Sequence, residues 1–127
     1  MSAPDWVDSA VRDFGRSAGV SSLSLGEKGV ASISLENGVK VVFEHVADRL
    51  AVTATVPAAT DPETVARVLL FANPMNTRGR RIRSGYLAGS SRALFMSSIP
   101  DGEVTLPALN SAFAAVMGAA AETGGAK

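Results

Sequence analysis

The chain has 127 residues, 46% of them hydrophobic and 19% charged, with twelve acidic side chains against twelve basic ones, no cysteine and a sequence pI near 6.6. That length and balance predict one folded domain over residues 1–127, and the zero formal net charge supplies no global field for nucleic acid or a membrane surface. The lack of cysteine excludes disulfides, thiolate metal sites and cysteine nucleophiles. With no signal-peptide pattern at Met1-Ser2-Ala3-Pro4 and no apolar run near the ~20 residues of a membrane span, a cytoplasmic chain without membrane insertion is expected.

Residues 4–18 predict a first helix. Trp6, Val7, Ala10, Val11, Phe14 and Ala18 fall within about 140° around a helical wheel, opposite Asp8, Arg12 and Arg16, and Gly19 is a natural stop. Asp8 and Arg12 stand in the favourable i, i+4 order. Leu23 and Leu25 then alternate with serines in a short extended segment, and Gly26-Glu27-Lys28-Gly29 makes a turn. Three strands follow, over 30–35, 39–46 and 50–56, each with apolar residues at every second position. Asn37-Gly38 is a strong hairpin signal because both residues tolerate the positive φ of a type I′ turn, and Ala47-Asp48-Arg49 turns the chain again.

The stretch 60–74 interrupts the strands with a helix over 61–73. Asp61 caps it, Pro62 takes the first helical position, Glu63 faces the positive end of the dipole, and Pro74 ends it at Asn73. Val65, Val68, Leu69 and Ala72 form one apolar stripe, while Leu70 and Phe71 lie roughly 100–140° away from it. A helix with two apolar faces has one for its own core and one for a second contact; complete burial in its own domain gives the same pattern. Two more strands are predicted over 82–88 and 92–99, joined by Gly89-Ser90-Ser91, then a turn at Pro100-Asp101-Gly102. A last helix over 105–122 lines up Leu106, Leu109, Phe113, Val116, Met117 and Ala120. The order α-β-β-β-α-β-β-α, with hairpin connections, predicts an α+β fold: an antiparallel five-stranded sheet with three helices.

Catalytic chemistry has little to stand on. His45 is the sole histidine and reads as a strand-end residue at the surface; one histidine does not make a zinc site, and no carboxylate cluster completes one. No serine sits in a G-x-S-x-G elbow, the glycines around Lys28 lack phosphate-loop spacing, and the carboxylates are scattered singly. A non-enzymatic protein without metal or cofactor is therefore expected. The one charge anomaly is Arg78-Gly79-Arg80-Arg81-Ile82-Arg83. Arg78, Arg80, Arg81 and Arg83 suit an acidic partner segment or phosphates, and equally a solvated loop leading into an edge strand. Tyr86 is the nearest aromatic, too little for a nucleic-acid stacking platform.

The order of elements, with a central helix carrying Leu69-Leu70-Phe71-Ala72-Asn73, resembles the class I type III secretion chaperones of Gram-negative bacteria over nearly the whole chain. The Leu-rich helix ending in Ala72-Asn73 is similar to that family's Leu-Leu-x-x-Asn signature. The resemblance implies a non-enzymatic homodimer that binds the N-terminal region of a secreted effector and keeps it soluble and competent for secretion. It implies a dimer interface at Val68, Leu70 and Phe71. It also implies effector contacts at Phe14, Leu23, Leu25, Ile33, Leu35, Val42 and Val46, with an effector strand added at a sheet edge. Such chaperones are typically acidic, whereas this chain is neutral with an arginine cluster, which points to an acidic client segment. Two other readings stay open: a small homodimeric adaptor that binds a folded partner, and a nucleic-acid module that uses the arginine run.

Overall fold

A computed structural model describes residues 3–20, 23–35, 38–57, 82–87 and 92–122, with the backbone alone for residues 86, 87, 121 and 122. The expected helix over 61–73, together with Asn37 and Gly89-Ser90-Ser91, lies outside the described residues.

Helix α1, Asp5–Ser17, forms where Val7, Ala10, Val11 and Phe14 recur at helical spacing, and all four are buried. Its first turn begins at Pro4, whose carbonyl accepts the Val7 and Asp8 amides (3.0 and 3.1 Å), with Asp5 and Asp8 near the positive end of the dipole. It ends where Gly19 takes a positive φ of 85° and the Val20 amide donates back to the Gly15 carbonyl (2.7 Å). Trp6, expected on the apolar stripe, is 57% exposed instead. Its indole Nε1–H donates to the Asp101 carbonyl (2.9 Å), which holds the ring at the surface.

The strands are β1 Val30–Ser34, β2 Lys40–Val46, β3 Arg49–Pro57, β4 Arg83–Leu87 and β5 Arg92–Pro100, all paired antiparallel in the order β1-β2-β3-β5-β4. Period-two alternation makes one face of this sheet apolar. Val41 and Phe43 of β2, Leu50, Val52, Ala54 and Val56 of β3, and Ala93, Phe95 and Ile99 of β5 are buried there. β2 and β3 are joined through Ala47 and Asp48, at φ 53° and 63°. This is the two-residue hairpin geometry that Asn-Gly pairs favour, and here it is built without glycine. Left-handed backbone costs a non-glycine residue about 1–2 kcal/mol. The Asp101 amide, donating to the Asp48 carbonyl at 3.0 Å, helps hold the turn in place.

After a 3₁₀ turn at Asp101–Glu103, helix α2 runs over Leu106–Glu122. Thr105 caps it, its hydroxyl oxygen accepting the Ala108 amide at 3.2 Å. Leu109, Ala112, Val116, Ala119 and Ala120 are buried, and the alanines let the helix lie close to β3 and β5. Both described helices cover the apolar face. Phe14 links them to the sheet, its ring centroid 5.5 Å from Phe43 and 5.0 Å from Phe113, both in tilted geometry. The described structure is thus an α+β fold with a five-stranded antiparallel sheet and two helices. Among the described residues no helix is long and apolar enough to cross a membrane.

The chain after α1 passes close against that helix at Gly15. A Cβ there would stand 2.6 Å from the Val20 carbonyl oxygen and 2.7 Å from the Leu23 Cβ. Gly15→Ala is therefore expected to lower the unfolding free energy by about 1–3 kcal/mol through overpacking. Urea denaturation checks this; an unchanged midpoint would show that the segment yields freely.

Candidate protein-binding surface

One carboxylate organises the flank of α1. Asp8 Oδ1 accepts the Leu25 amide (2.9 Å) and the Ser24 hydroxyl (3.2 Å), while Oδ2 lies 3.3 Å from the Arg12 guanidinium. These bonds strap residues 23–25 along the helix and drive Leu23 and Leu25 inward, at 5% and 2% exposure. Phe14, at 3%, is equally sunk. Three of the positions proposed for effector contact thus belong to the core that supports the surface. The other four reach solvent to different degrees: Ile33 and Val42 are half-buried, and Leu35 and Val46 are exposed.

β1 is an edge strand, and its hydrogen bonding fixes what that edge offers. The Leu35 amide donates to the Val39 carbonyl (2.8 Å) and the His45 amide to the Gly29 carbonyl (2.8 Å). In an antiparallel ladder bonded residues alternate, so Ala31 and Ile33 bond to β2 while the backbone groups of Val30, Ser32 and Ser34 point away from the sheet. The Val30 amide is taken by the Leu25 carbonyl (3.0 Å), which closes one end of the edge. No described strand pairs along the remainder. Ser32 and Ser34 therefore present main-chain donors and acceptors, with Val30 exposed at one end and Leu35 at the other.

A second fastening lies at the far end of β2. His45 Nε2 stands 2.8 Å from Asp101 Oδ1 and 3.1 Å from Oδ2, and both side chains are mostly buried. This corrects the expectation of a surface histidine: His45 shares the helix-covered face with Phe43, and the Asp101 turn folds onto it. Asp101 also receives the Trp6 indole N–H and donates its amide to Asp48, so one residue joins α1, β2, the β2–β3 turn and the entry to α2. Neither Asp8 nor Asp101 is recognisable from sequence as a fastener, because both bonds close over long separations. The i, i+4 spacing of Asp8 and Arg12 and the predicted turn at Pro100-Asp101-Gly102 are the signals that touched them.

Of the arginine run, Arg83 is described and exposed on β4; Arg78, Arg80 and Arg81 lie outside the described residues, as do Val68, Leu70 and Phe71. Among the described residues no group of three or more potential ligands could hold a metal ion. What the surface offers is an open strand edge and shallow apolar positions, which suit a polypeptide. Asp8→Ala would leave the buried Leu25 amide without its acceptor, an expected loss of about 1–3 kcal/mol. Hydrogen exchange should show faster labelling over residues 23–30, and unchanged exchange there would disprove the strap.

Comparison with known proteins places this architecture. The family model described as type III secretory system chaperone SycN matches residues 6–123. In fold the chain is similar to SycH, the Yersinia pestis type III secretion chaperone solved with a stable fragment of YscM2: 14% identity, TM-score 0.71, covering 92% of this chain and 98% of that one. It is similar to a chain of the ExsC–ExsE complex at 20% identity and TM-score 0.68, covering 92% and 90%. It is also similar to a chain of the ExoU–SpcU complex from the Pseudomonas aeruginosa type III secretion system at 13% identity and TM-score 0.65, covering 94% and 96%. At such identities the likeness to solved structures concerns the fold. No curated protein matches significantly. With the family match running through both described helices and all five strands, the chain belongs to the type III secretory system chaperones, a family of chaperones and not of enzymes.

Proposed function

We propose that this chaperone acts in the bacterial cytoplasm as a homodimer and holds an extended segment near the N-terminus of a secreted effector. The observation that carries the reading is the outer edge of β1, where Ser32 and Ser34 present unpaired backbone between exposed Val30 and Leu35. That SycH, ExsC–ExsE and ExoU–SpcU were each solved as complexes supports a protein partner. Fixing each residue of a client costs on the order of 1–2 kcal/mol of backbone entropy, while a hydrogen bond returns a net of about 1 kcal/mol. Strand addition alone therefore does not hold the client, and apolar contacts must supply the remainder. Ile33, Leu35, Val42 and Val46 are the members of the proposed contact set within reach of solvent, with Phe14, Leu23 and Leu25 as the packed support beneath.

The single domain uses further residues in this reading. Val68, Leu70 and Phe71 form the two-fold contact, and Arg78, Arg80, Arg81 and Arg83 meet carboxylates on the client. Tagged full-length chain recovered from its host should carry one secreted protein, bound through its N-terminal region at two chaperone chains per client. Ser32→Pro removes an outward-pointing amide without breaking a bond to β2, so it should weaken capture about tenfold or more with the fold intact. Charge reversal at Arg80 and Arg81 should weaken capture further. Recovery of folded housekeeping proteins without a secreted client would replace this reading with the adaptor one, and wild-type capture by Ser32→Pro would dismiss the edge.

A further inference from the structure

The sheet face turned away from the helices has a charge character that the whole chain hides. By the ladder registers, Lys40, Arg49, Arg83 and Arg92 all lie on that face, from four different strands, and Glu44 is its one carboxylate among the described residues. The same chain pairs its helical cations: Arg12 with Asp8 and Arg16 with Asp13. None of the four sheet cations is in an ion pair with a described residue. Arg49 donates through Nε to the Ser98 hydroxyl (3.0 Å), and Arg92 donates to the carbonyls of Gly38 and Thr55 (2.7 and 2.9 Å). These neutral acceptors fix the side chains and leave their charge uncompensated. Between the cations run apolar residues at partial or full exposure, among them Val42, Val46, Leu94 and Met96.

We infer that this outer face docks an acidic amphipathic segment of a partner protein, with apolar residues against Val42, Leu94 and Met96 and carboxylates against the surrounding cations. A second copy of this chain does not fit, because an isologous contact would set the same cations against themselves. A polyanion without apolar groups, such as nucleic acid, would leave the apolar band uncovered, and no aromatic platform for bases is found on this face among the described side chains. This docking deepens the effector reading and rests on it, since Val42 and Arg83 also belong to the proposed contact set and Ser32 stands opposite Val42 in the ladder.

The test uses fluorescence anisotropy on the full chain, with a labelled synthetic amphipathic peptide whose leucine stripe is flanked by glutamates. A glutamine version of the peptide and a labelled single-stranded oligonucleotide serve as comparisons. The glutamate peptide should bind at least about tenfold more tightly than the other two and lose that advantage as salt rises. Lys40→Glu combined with Arg83→Glu, both exposed and outside any ion pair among the described residues, should weaken it about tenfold. Lys40→Gln with Arg83→Gln should give a smaller loss, with thermal melts confirming that both variants fold. Ser32→Pro keeps all four cations and should retain the preference for the glutamate over the glutamine peptide, which distinguishes this charge recognition from capture through the edge backbone. No binding, equal affinity for the glutamine peptide or the oligonucleotide, or indifference to charge reversal would each overturn the inference.

Discussion

The pairing of β3 with β5 is the constraint on which the rest of this molecule depends. Both strands are nine residues long and they pair over their full length, from Arg49 opposite Pro100 to Pro57 opposite Arg92. That register sets Leu50, Val52, Ala54 and Val56 beside Ala93, Phe95, Ser97 and Ile99 on one face. A slip of one residue would turn every one of these side chains to the opposite side. β2 and β4 add to the two flanks of this pair, β1 follows β2, and both described helices lie on the face that the register makes apolar.

What remains after that face is covered is the proposed binding surface. Phe14 ties α1 to β2 and α2 through its two aromatic neighbours, Asp8 straps residues 23–25 to α1, and Asp101 gathers four segments at the other end. All of this fastening is on the helical side. The β1 edge and the outer sheet face carry no comparable set of ties among the described residues, so a partner can add there without displacing the core. A chaperone that holds its client passively needs this division: a scaffold that stays folded and a surface whose hydrogen bonds and apolar contacts await a second chain.

Charge follows the same division. The neutral total conceals helical cations already paired with neighbouring carboxylates and two sheet cations, Arg49 and Arg92, held by hydroxyl and carbonyl oxygens. Pairing within a helix is a matter of i, i+3 and i, i+4 spacing, whereas the sheet cations come from four strands and share one face only through the ladder. The expected preference for an acidic client rested on the run around Arg78–Arg83; the outer face enlarges that idea with Lys40, Arg49 and Arg92, which are far from the run in sequence.

Much of this was determined by the sequence alone. The strand alternations, the amphipathic first and last helices, the turn between β2 and β3 and the hairpin order all rest on short-range spacing, and each lies within a residue or two of its expected bounds. The Leu-rich stretch around 69–73, set in that order of elements, was enough to indicate the family. Only the tertiary structure decided that β5 rather than β4 lies beside β3, because strand adjacency across a long connection leaves no local pattern. It also decided which apolar residues are core. Phe14, Leu23 and Leu25 look like Leu35 and Val46 as letters. Asp8 pulls Leu23 and Leu25 inward, Phe14 is clamped between Phe43 and Phe113, Leu35 follows the edge strand and Val46 faces the outer side of the sheet. Burial is a property of what the chain brings back against a residue, and that is fixed by contacts between segments far apart in the sequence.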